Sequence, residues 1–223
     1  MMTNSTKAGT LALTRRRLLA TGAATLAATG LLGFAALSPA NAQQFSNIMD
    51  DLPIEDDVMG QADAPVTIVE YASMTCPHCK RFHEEVMPQI KEKYIDTGKV
   101  KYILRPFPFD GDRRGEAAFM LAKCAPNNNY YAMIDALFAT QQAWGGQGNP
   151  VPELLRLSKL AGMTEEDFKA CLGRQDLLTK IVDGRNKAVK EFQVRATPTV
   201  FVNGKKLGDS RFETIVEAVE AAL

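Results

Sequence analysis

Apolar residues follow two different periods in the first part of the main body of the chain. Residues 64–71 form a largely apolar, β-rich run, which predicts a buried strand. From residue 77 the spacing becomes helical, with apolar residues at Cys79, Phe82, Val86, Ile90 and Tyr94. Pro88 lies inside this helix and predicts a kink. A second apolar run at 100–104 predicts another strand, so the order permits a right-handed βαβ unit.

The middle of the chain has helical periods only, from residue 112 to residue 193. Thr164, followed by acidic residues, predicts the start of one helix and Gly173 its end. Gly184 is a candidate break in the next helix. We interpret this region as an all-helical insertion over about residues 112–183.

The C-terminal part returns to strands. Residues 199–202 are β-rich, Asn203-Gly204 is typical of a type I′ hairpin turn, and residues 205–207 predict a short partner strand. Ser210, with Glu213 three residues later, predicts a capping box at the start of a terminal helix. The whole pattern of strands and helices is that of an α/β protein.

The first 42 residues differ from the rest. They contain four basic residues and no acidic one, followed by a low-charge stretch at 18–37 and then Ala40-Asn41-Ala42. This order predicts an export signal cleaved after Ala42. Residues 14–19 resemble the twin-arginine export motif, while a general secretory signal or an uncleaved anchor are the alternatives. Residues 43–63 are acidic and predict an irregular lead-in to a domain at 64–223.

Composition narrows the class of protein. The 223 residues are 46% hydrophobic and carry 26 basic and 26 acidic side chains, which excludes a disordered or collagen-like chain. Without its first 42 residues the chain has 22 basic and 26 acidic residues, a formal charge of −4. This balance gives no indication of a nucleic-acid partner. All four cysteines follow the export signal, so they would meet an oxidising compartment.

Cys76-Pro77-His78-Cys79 lies where the first predicted strand meets the predicted helix. Proline is favoured at the first helical position, which puts Cys76 at the helix N-terminus, where free N–H groups stabilise a thiolate. The thiolate is the nucleophile and the good leaving group of disulfide exchange. A protonated His78 would add positive charge beside it. Cys79 lies on the apolar stripe, so we expect it to be buried and to act as the resolving thiol.

Other uses of the two cysteines can be weighed against this one. A zinc site needs four ligands, yet the only histidines are His78 and His83 and there is no second CxxC motif. A c-type haem needs histidine after the second cysteine, where this chain has Lys80. A purely structural disulfide stays open because exported proteins often carry one. The position at a strand–helix junction argues against it. We expect neither a metal nor a cofactor.

Residues 76–79, taken with Ala196-Thr197-Pro198-Thr199 and the strand that follows, resemble the DsbA family of thiol–disulfide oxidoreductases. The resemblance covers about residues 58–223 and implies a thioredoxin-like fold with an inserted all-helical subdomain. It also implies that Pro198 is a cis-proline lying against the disulfide and that the backbone of Thr197 pairs with an extended substrate. The alternative is an ordinary trans-proline before an edge strand.

The resemblance further implies a buried acid beneath the cysteines, which matches Glu70, with a lysine partner best matched by Lys101. A buried carboxylate could exchange a proton with Cys79 as that residue changes state. The alternative is an exposed ion pair at the strand edge. His83 is interpreted as a packed or half-exposed histidine without a functional role.

Cys124 and Cys171 lie on two helices of the insertion, 47 positions apart. On compartment grounds we expect a structural disulfide, worth roughly 4 kcal/mol in the entropy model. Some DsbA-like proteins have a similar extra pair. The alternative is two small buried thiols that never meet.

Together these features predict an exported, periplasmic and monomeric enzyme that introduces disulfide bonds into newly exported polypeptides. Family resemblance implies reoxidation by a DsbB-type membrane quinone reductase. One alternative is a disulfide isomerase or reductase kept reduced by another partner. An alternative of a different class is a Cu(I)-binding or chaperone module.

Overall fold

The computed structural model describes residues 44–50 and 52–223, so the export signal predicted for residues 1–42 lies outside the described part of the chain. The described residues include a five-stranded sheet in the order β1-β3-β2-β4-β5. Its strands are Val58–Met59 (β1), Val66–Ala72 (β2), Val100–Pro106 (β3), Thr199–Val202 (β4) and Lys205–Lys206 (β5).

Strand β2 occupies the centre of the sheet. It runs parallel to β3 and antiparallel to β4, with Glu70 opposite both Leu104 and Val200. The parallel pairing of β2 and β3 is the arrangement that the predicted βαβ unit requires. All residues of β2 except Thr67 are buried, because a central strand with both faces covered has no solvent side.

The connection between β2 and β3 is helical from residue 77 to residue 95. Two α-helical segments, Pro77–Arg81 (α1) and Met87–Ile90 (α2), are each followed by a π-helical turn, at Phe82–Val86 and Lys91–Ile95. Pro88 has no N–H to donate, and its ring crowds the carbonyl of the preceding turn. The wider π-helical turn immediately before α2 accommodates both effects.

Six further helices separate β3 from β4. They are Arg113–Cys124 (α3), Tyr130–Ala139 (α4), Gln141–Gly145 (α5), Val151–Leu160 (α6), Glu165–Leu172 (α7) and Gln175–Glu191 (α8). Helix α7 has the predicted capping box, formed by Thr164 and Asp167, and ends at Gly173. None of the helices in residues 44–50 and 52–223 combines the length and the apolar character needed to cross a membrane.

The helix break predicted at Gly184 is wrong. Helix α8, which has 17 residues, continues through Gly184, so the helical region extends to Glu191 rather than to about residue 183. A Cβ atom at Gly184 would lie 3.7 Å from Ile54 Cγ2 of the lead-in. The glycine therefore lies where the lead-in packs against the helix, and it does not form a turn.

Strands β4 and β5 form the predicted hairpin. Asn203 and Gly204 have φ values of 44° and 80°, as a type I′ turn requires. The capping box predicted at Ser210 is wrong, because the terminal helix, Phe212–Glu220 (α9), begins two residues later with Arg211 as its N-cap. Asp209 Oδ1 instead accepts a hydrogen bond from the backbone N–H of Arg211.

Apolar side chains cover both faces of the sheet. The larger cluster contains Ile68, Tyr102 and Cys79, and the second contains Tyr71 and Ile103. Because successive residues of a strand point to opposite faces, Glu70 shares the face of Ile68 and Tyr102. The acid is therefore on the side of the sheet that packs against Cys79.

Part of the lead-in, which the sequence predicts to be irregular, pairs with the sheet. It includes β1, which pairs with β3 in antiparallel fashion. The guanidinium of Arg105, which is 4% exposed, donates to both carboxylate oxygens of Asp56 at 2.9 and 2.7 Å. It also donates to the carbonyl oxygen of Ile48 and to the hydroxyl of Tyr71. This buried cation explains how a polar segment is held in one position.

Candidate active site

Cys76 and Cys79 lie at the junction of β2 and α1. Cys76 is the N-cap residue of α1 and Pro77 occupies the first helical position, as the sequence predicts. The backbone N–H of Cys76 donates to the carbonyl oxygen of Ser73, and its own carbonyl accepts from Lys80 N–H. Both cysteines are thiols in the structure. Pro77 and His78 are exposed between them, whereas Cys79 is completely buried.

The pKa of the Cys76 thiol is lowered to about 5. The largest cause is a hydrogen bond from the Cys79 thiol, and burial of Cys76 opposes it. The backbone N–H groups of His78 and Cys79, at the start of the helix, also favour the thiolate. Cys76 is therefore ionised at neutral pH.

Cys79 shifts in the opposite direction. Burial raises its pKa far above the usual range of a thiol, the hydrogen bond to Cys76 adds to the effect, and the negative charge of Glu70 adds further. The two sulfurs, one helical turn apart, are thus a thiolate and a thiol. The low pKa makes Cys76 the better leaving group when a mixed disulfide at its sulfur is resolved, whereas Cys79 must take up a proton as it leaves.

The loop before β4 faces Cys76. The peptide bond between Thr197 and Pro198 is cis, as the resemblance implies. Cys76 Sγ lies 3.4 Å from the carbonyl oxygen of Thr197, to which the protonated thiol can donate a hydrogen bond. Thr197 and Pro198 are half-buried, and Cys76 beside them is 4% exposed.

Glu70 is buried beneath the cysteines and 0% exposed. The Tyr102 hydroxyl donates a hydrogen bond to its Oε2 atom, and His83 Nε2 lies 3.2 Å from the same atom. The other carboxylate oxygen, Oε1, is buried without a hydrogen-bond partner among the described residues. The exposed ion pair that was the alternative for Glu70 is therefore not what the structure contains.

Lys101 is not the partner of Glu70. Its Nζ atom donates an exposed hydrogen bond to the carbonyl oxygen of Ala62 at 2.9 Å. Because side chains alternate along β3, Lys101 and Tyr102 point to opposite faces. Tyr102, one residue later, takes the position beside the acid.

His83 is a second partner of Glu70 that the sequence reasoning missed. Its side chain is 3% exposed, and its ring packs on Phe138 with 4.4 Å between ring centroids. Burial lowers the pKa of His83, but Glu70 and Asp135 outweigh burial and raise it to about 9. The spacing from Cys79 was the available signal, since residues four apart share one face of a helix.

The helical insertion supports the turn that carries Cys76. Gln141 Nε2 donates to the carbonyl oxygens of Met74 and Cys76 at 2.8 and 3.0 Å. The Thr75 hydroxyl donates to Asp112, which is also the N-cap of α3. Neither Gln141 nor Asp112 belongs to a sequence motif, so only the three-dimensional structure brings them to the site.

Cys124 and Cys171 are joined by a disulfide with an S–S distance of 2.11 Å. The bond connects the last residue of α3 to α7, within the helical insertion. It leaves Cys76 and Cys79 as the pair of free thiols among the described residues.

Comparisons with known proteins agree with this geometry. The thioredoxin family model matches residues 54–221. The crystal structure of Wolbachia pipientis alpha-DsbA1 superposes with a TM-score of 0.72 at 32% identity, over 80% of this chain and 96% of that one. The structure of oxidised BdbD from Bacillus subtilis gives a TM-score of 0.68 at 26% identity, over 75% and 92% of the two chains.

A curated relative from Rickettsia conorii, whose name describes a protein-disulfide oxidoreductase, is 34% identical over 169 residues. The match covers 75% of this chain but only 60% of that relative, which is therefore considerably longer. Because a thioredoxin model matches most of the chain, and nearly all of a DsbA structure aligns with it at 32% identity, this protein belongs to the DsbA family of thioredoxin-fold proteins.

Proposed function

We propose that the protein is an exported thiol–disulfide oxidoreductase that donates the Cys76–Cys79 disulfide to newly exported polypeptides. The observation that carries the proposal is the opposite direction of the two thiol pKa shifts across one helical turn. A stabilised Cys76 thiolate favours the reduced pair, so the disulfide form is a strong oxidant of other thiols. The names of relatives support the same chemistry, among them disulfide bond formation protein D of Bacillus subtilis, 28% identical over 177 residues.

The reaction follows from the two sulfur environments. A substrate thiolate attacks Cys76 Sγ, a mixed disulfide forms, and the Cys76–Cys79 bond breaks with its electron pair on Cys79 Sγ. Cys79 takes up a proton because its buried site disfavours the thiolate. A second substrate thiolate then attacks the substrate sulfur of the mixed disulfide, which releases Cys76 as a thiolate. Two electrons pass to the enzyme, and the substrate gains one disulfide.

Glu70 is the proposed proton donor to Cys79 on reduction and the acceptor on reoxidation. The carboxyl group lies on the sheet face that packs against Cys79, and its Oε1 atom is free of other hydrogen bonds within residues 44–50 and 52–223. A general acid needs an oxygen that can reach the group it protonates, and Oε1 is the oxygen of Glu70 that is not engaged in another hydrogen bond to the described residues.

Substrate contact is proposed to occur at the exposed edge of the site. His78 and Pro77 are exposed beside Cys76, and the backbone of Thr197 lies next to the reactive sulfur. Backbone pairing of this kind accepts many sequences, which suits unfolded or partly folded polypeptides with free thiols.

The cellular setting of the reaction is also a proposal. The basic N-terminal segment that ends at Ala42 supports export to the periplasm, and the residues at 14–19 support the twin-arginine route. An oxidase that acts repeatedly needs an electron acceptor, for which a DsbB-type membrane quinone reductase is the proposed partner. We propose that the protein acts as a monomer.

Equilibration with glutathione tests the donor proposal. The purified protein is incubated in buffers of increasing ratio of reduced to oxidised glutathione, quenched in acid, and its Cys76–Cys79 pair is quantified by peptide mass spectrometry. We expect the pair to become reduced at low ratios, as for an oxidant. A pair that stays oxidised until the buffer is strongly reducing would refute donation and favour the reductase or isomerase alternative. The Cys124–Cys171 peptides in the same samples provide the internal comparison.

A further inference from the structure

His83 connects the buried acid to the surface of the molecule. Its Nε2 atom lies 3.2 Å from Glu70 Oε2, and its Nδ1 atom lies 3.8 Å from Asp135 Oδ1. Glu70 is 0% exposed at its side chain and Asp135 is 68% exposed, so the imidazole ring bridges the interior and the solvent. His83 and Asp135 also line one surface cavity of about 230 Å³.

Two atoms of the Glu70–His83 pair, Glu70 Oε1 and His83 Nδ1, are buried without a hydrogen-bond partner within the described residues. Buried polar atoms are nearly always paired, so two free ones in adjacent side chains call for an explanation. A group that passes a proton on must be free to exchange partners, and these two atoms are at the two ends of the Glu70–His83 pair.

We propose that His83, together with Asp135, carries protons between solvent and Glu70, and through Glu70 to Cys79. The inference deepens the proposed function and rests on it. His83 touches neither sulfur, so it is a positioning residue that acts through Glu70.

The proton balance follows the two-electron step. When a dithiol reduces the Cys76–Cys79 bond, the Cys79 sulfur receives an electron pair and one proton, which comes from Glu70. Glu70 is left as a carboxylate, and neutral His83, whose Nε2 proton faces Glu70, takes up a proton at Nδ1 from solvent beside Asp135, so that the Glu70–His83 pair recovers the proton given to Cys79. On reoxidation each transfer runs in reverse. The net change is one proton moved from solvent to Cys79 for each reduced pair.

The charged and titratable groups around His83 fit a relay. Glu70 faces it from β2, Tyr102 from β3 with its hydroxyl 3.3 Å from Nε2, and Asp135 from α4. Glu84 and Lys91, on the helical segment of His83 itself, line the same cavity. Burial lowers the pKa of His83, but the two acids raise it to about 9, so the ring holds a proton at neutral pH.

The test measures the rate constant for reduction of the Cys76–Cys79 disulfide by dithiothreitol, in samples quenched with acid at a series of pH values. For His83→Gln, which keeps a hydrogen-bonding side chain but cannot titrate, we expect a roughly tenfold lower rate constant near neutral pH. Asp135→Asn should give a smaller decrease and move the pH profile to lower pH, because Asp135 helps to raise the pKa of His83. Glu85→Gln is the matched control, because Glu85 is an exposed acid on the same helical segment and does not line the cavity beside His83. It should match the wild type.

Chemical rescue separates proton transfer from packing. In His83→Ala, added imidazole should restore the rate constant in proportion to its concentration, whereas pyrazole, a ring of the same size that is not protonated near neutral pH, should not. Equal rescue by both rings, or an unchanged rate constant in His83→Gln, would overturn the inference. If His83→Ala does not fold, the pH profile of His83→Gln decides alone. The glutathione equilibrium of the wild type tests donation separately, so either idea can fail without the other.

Discussion

Two cysteines three positions apart are both buried, at 4% and 0% exposed, yet their thiol pKa values shift in opposite directions. Cys76 is at the N-terminus of α1, where it accepts from backbone N–H groups and from the Cys79 thiol. Cys79 points into the apolar cluster and toward the charge of Glu70. The hydrogen bond between them therefore stabilises the thiolate of Cys76 and the thiol of Cys79.

Substitution of Cys79 tests this coupling. Cys79→Ala removes the hydrogen bond that contributes most to the low pKa of Cys76, whereas Cys79→Ser keeps a donor in the same place. We expect the Cys76 pKa to rise by about one pH unit in Cys79→Ala and to stay near about 5 in Cys79→Ser. Ultraviolet absorbance of the thiolate during a pH titration gives both values. Identical titrations of the two variants would contradict the assigned cause.

The thiolate also makes the stability of the reduced protein depend on pH. The folded pKa of Cys76 is lowered from 9.0 to about 5, so between these values the unfolded chain binds a proton that the folded chain does not. Stability from this group is therefore fully present above pH 9 and is lost as the pH falls through 5. The reduced wild type should gain stability relative to reduced Cys76→Ser as the pH rises between these limits, measured by denaturant unfolding.

The comparison with Cys76→Ser is needed because His83 acts in the opposite direction. Its pKa is raised from 6.5 to about 9, so its contribution is fully present below pH 6.5 and is lost as the pH rises through 9. Both proteins contain His83, and its contribution cancels in the difference. A difference that is constant with pH would contradict a low Cys76 pKa.

At the scale of elements, the helical insertion supports the site from one end and is cross-linked at the other. Asp112 begins α3 beside Thr75, whereas Cys124 ends the same helix about 18 Å away. The disulfide to Cys171 thus fixes α3 to α7 at the end of α3 opposite to Asp112.

Removal of the second disulfide should therefore change stability and leave the redox pair intact. For Cys124→Ala combined with Cys171→Ala, the entropy model gives a free energy of unfolding lower by about 4 kcal/mol. The measurement is denaturant unfolding of the oxidised double variant and the oxidised wild type. The Cys76 titration is the control and should be the same in both. A changed Cys76 pKa would mean that the far end of α3 does communicate with the site.

The elements and the site differ in how far the sequence predicts them. The strands, the hairpin at Asn203 and the cysteine pair depend on residues close together in sequence, so local patterns are sufficient. The assignment of Lys101 failed because the choice between neighbouring residues of β3 depends on which face of the sheet each one meets. Gln141 contacts the site 65 positions from Cys76, and no local pattern indicates such a contact.

For the whole molecule, the formal charge of zero combines two parts of opposite sign. The first 42 residues carry four basic groups and no acid, and the remaining chain has a formal charge of −4. The basic groups are concentrated where an export signal needs them. The acidic remainder gives no reason to expect a nucleic-acid partner.

The export route can be tested by a change that conserves this charge. Arg15→Lys combined with Arg16→Lys keeps every positive charge but removes the arginine pair that the twin-arginine route requires. We expect the full-length precursor to accumulate in the cytoplasm, whereas the wild type is recovered from the periplasm in processed form, as followed by fractionation and mass measurement. Arg17→Lys is the matched control, because it leaves Arg15 and Arg16 in place and should export normally. Normal export of the double variant would favour the general secretory route, since that route responds to charge and hydrophobicity and both are unchanged.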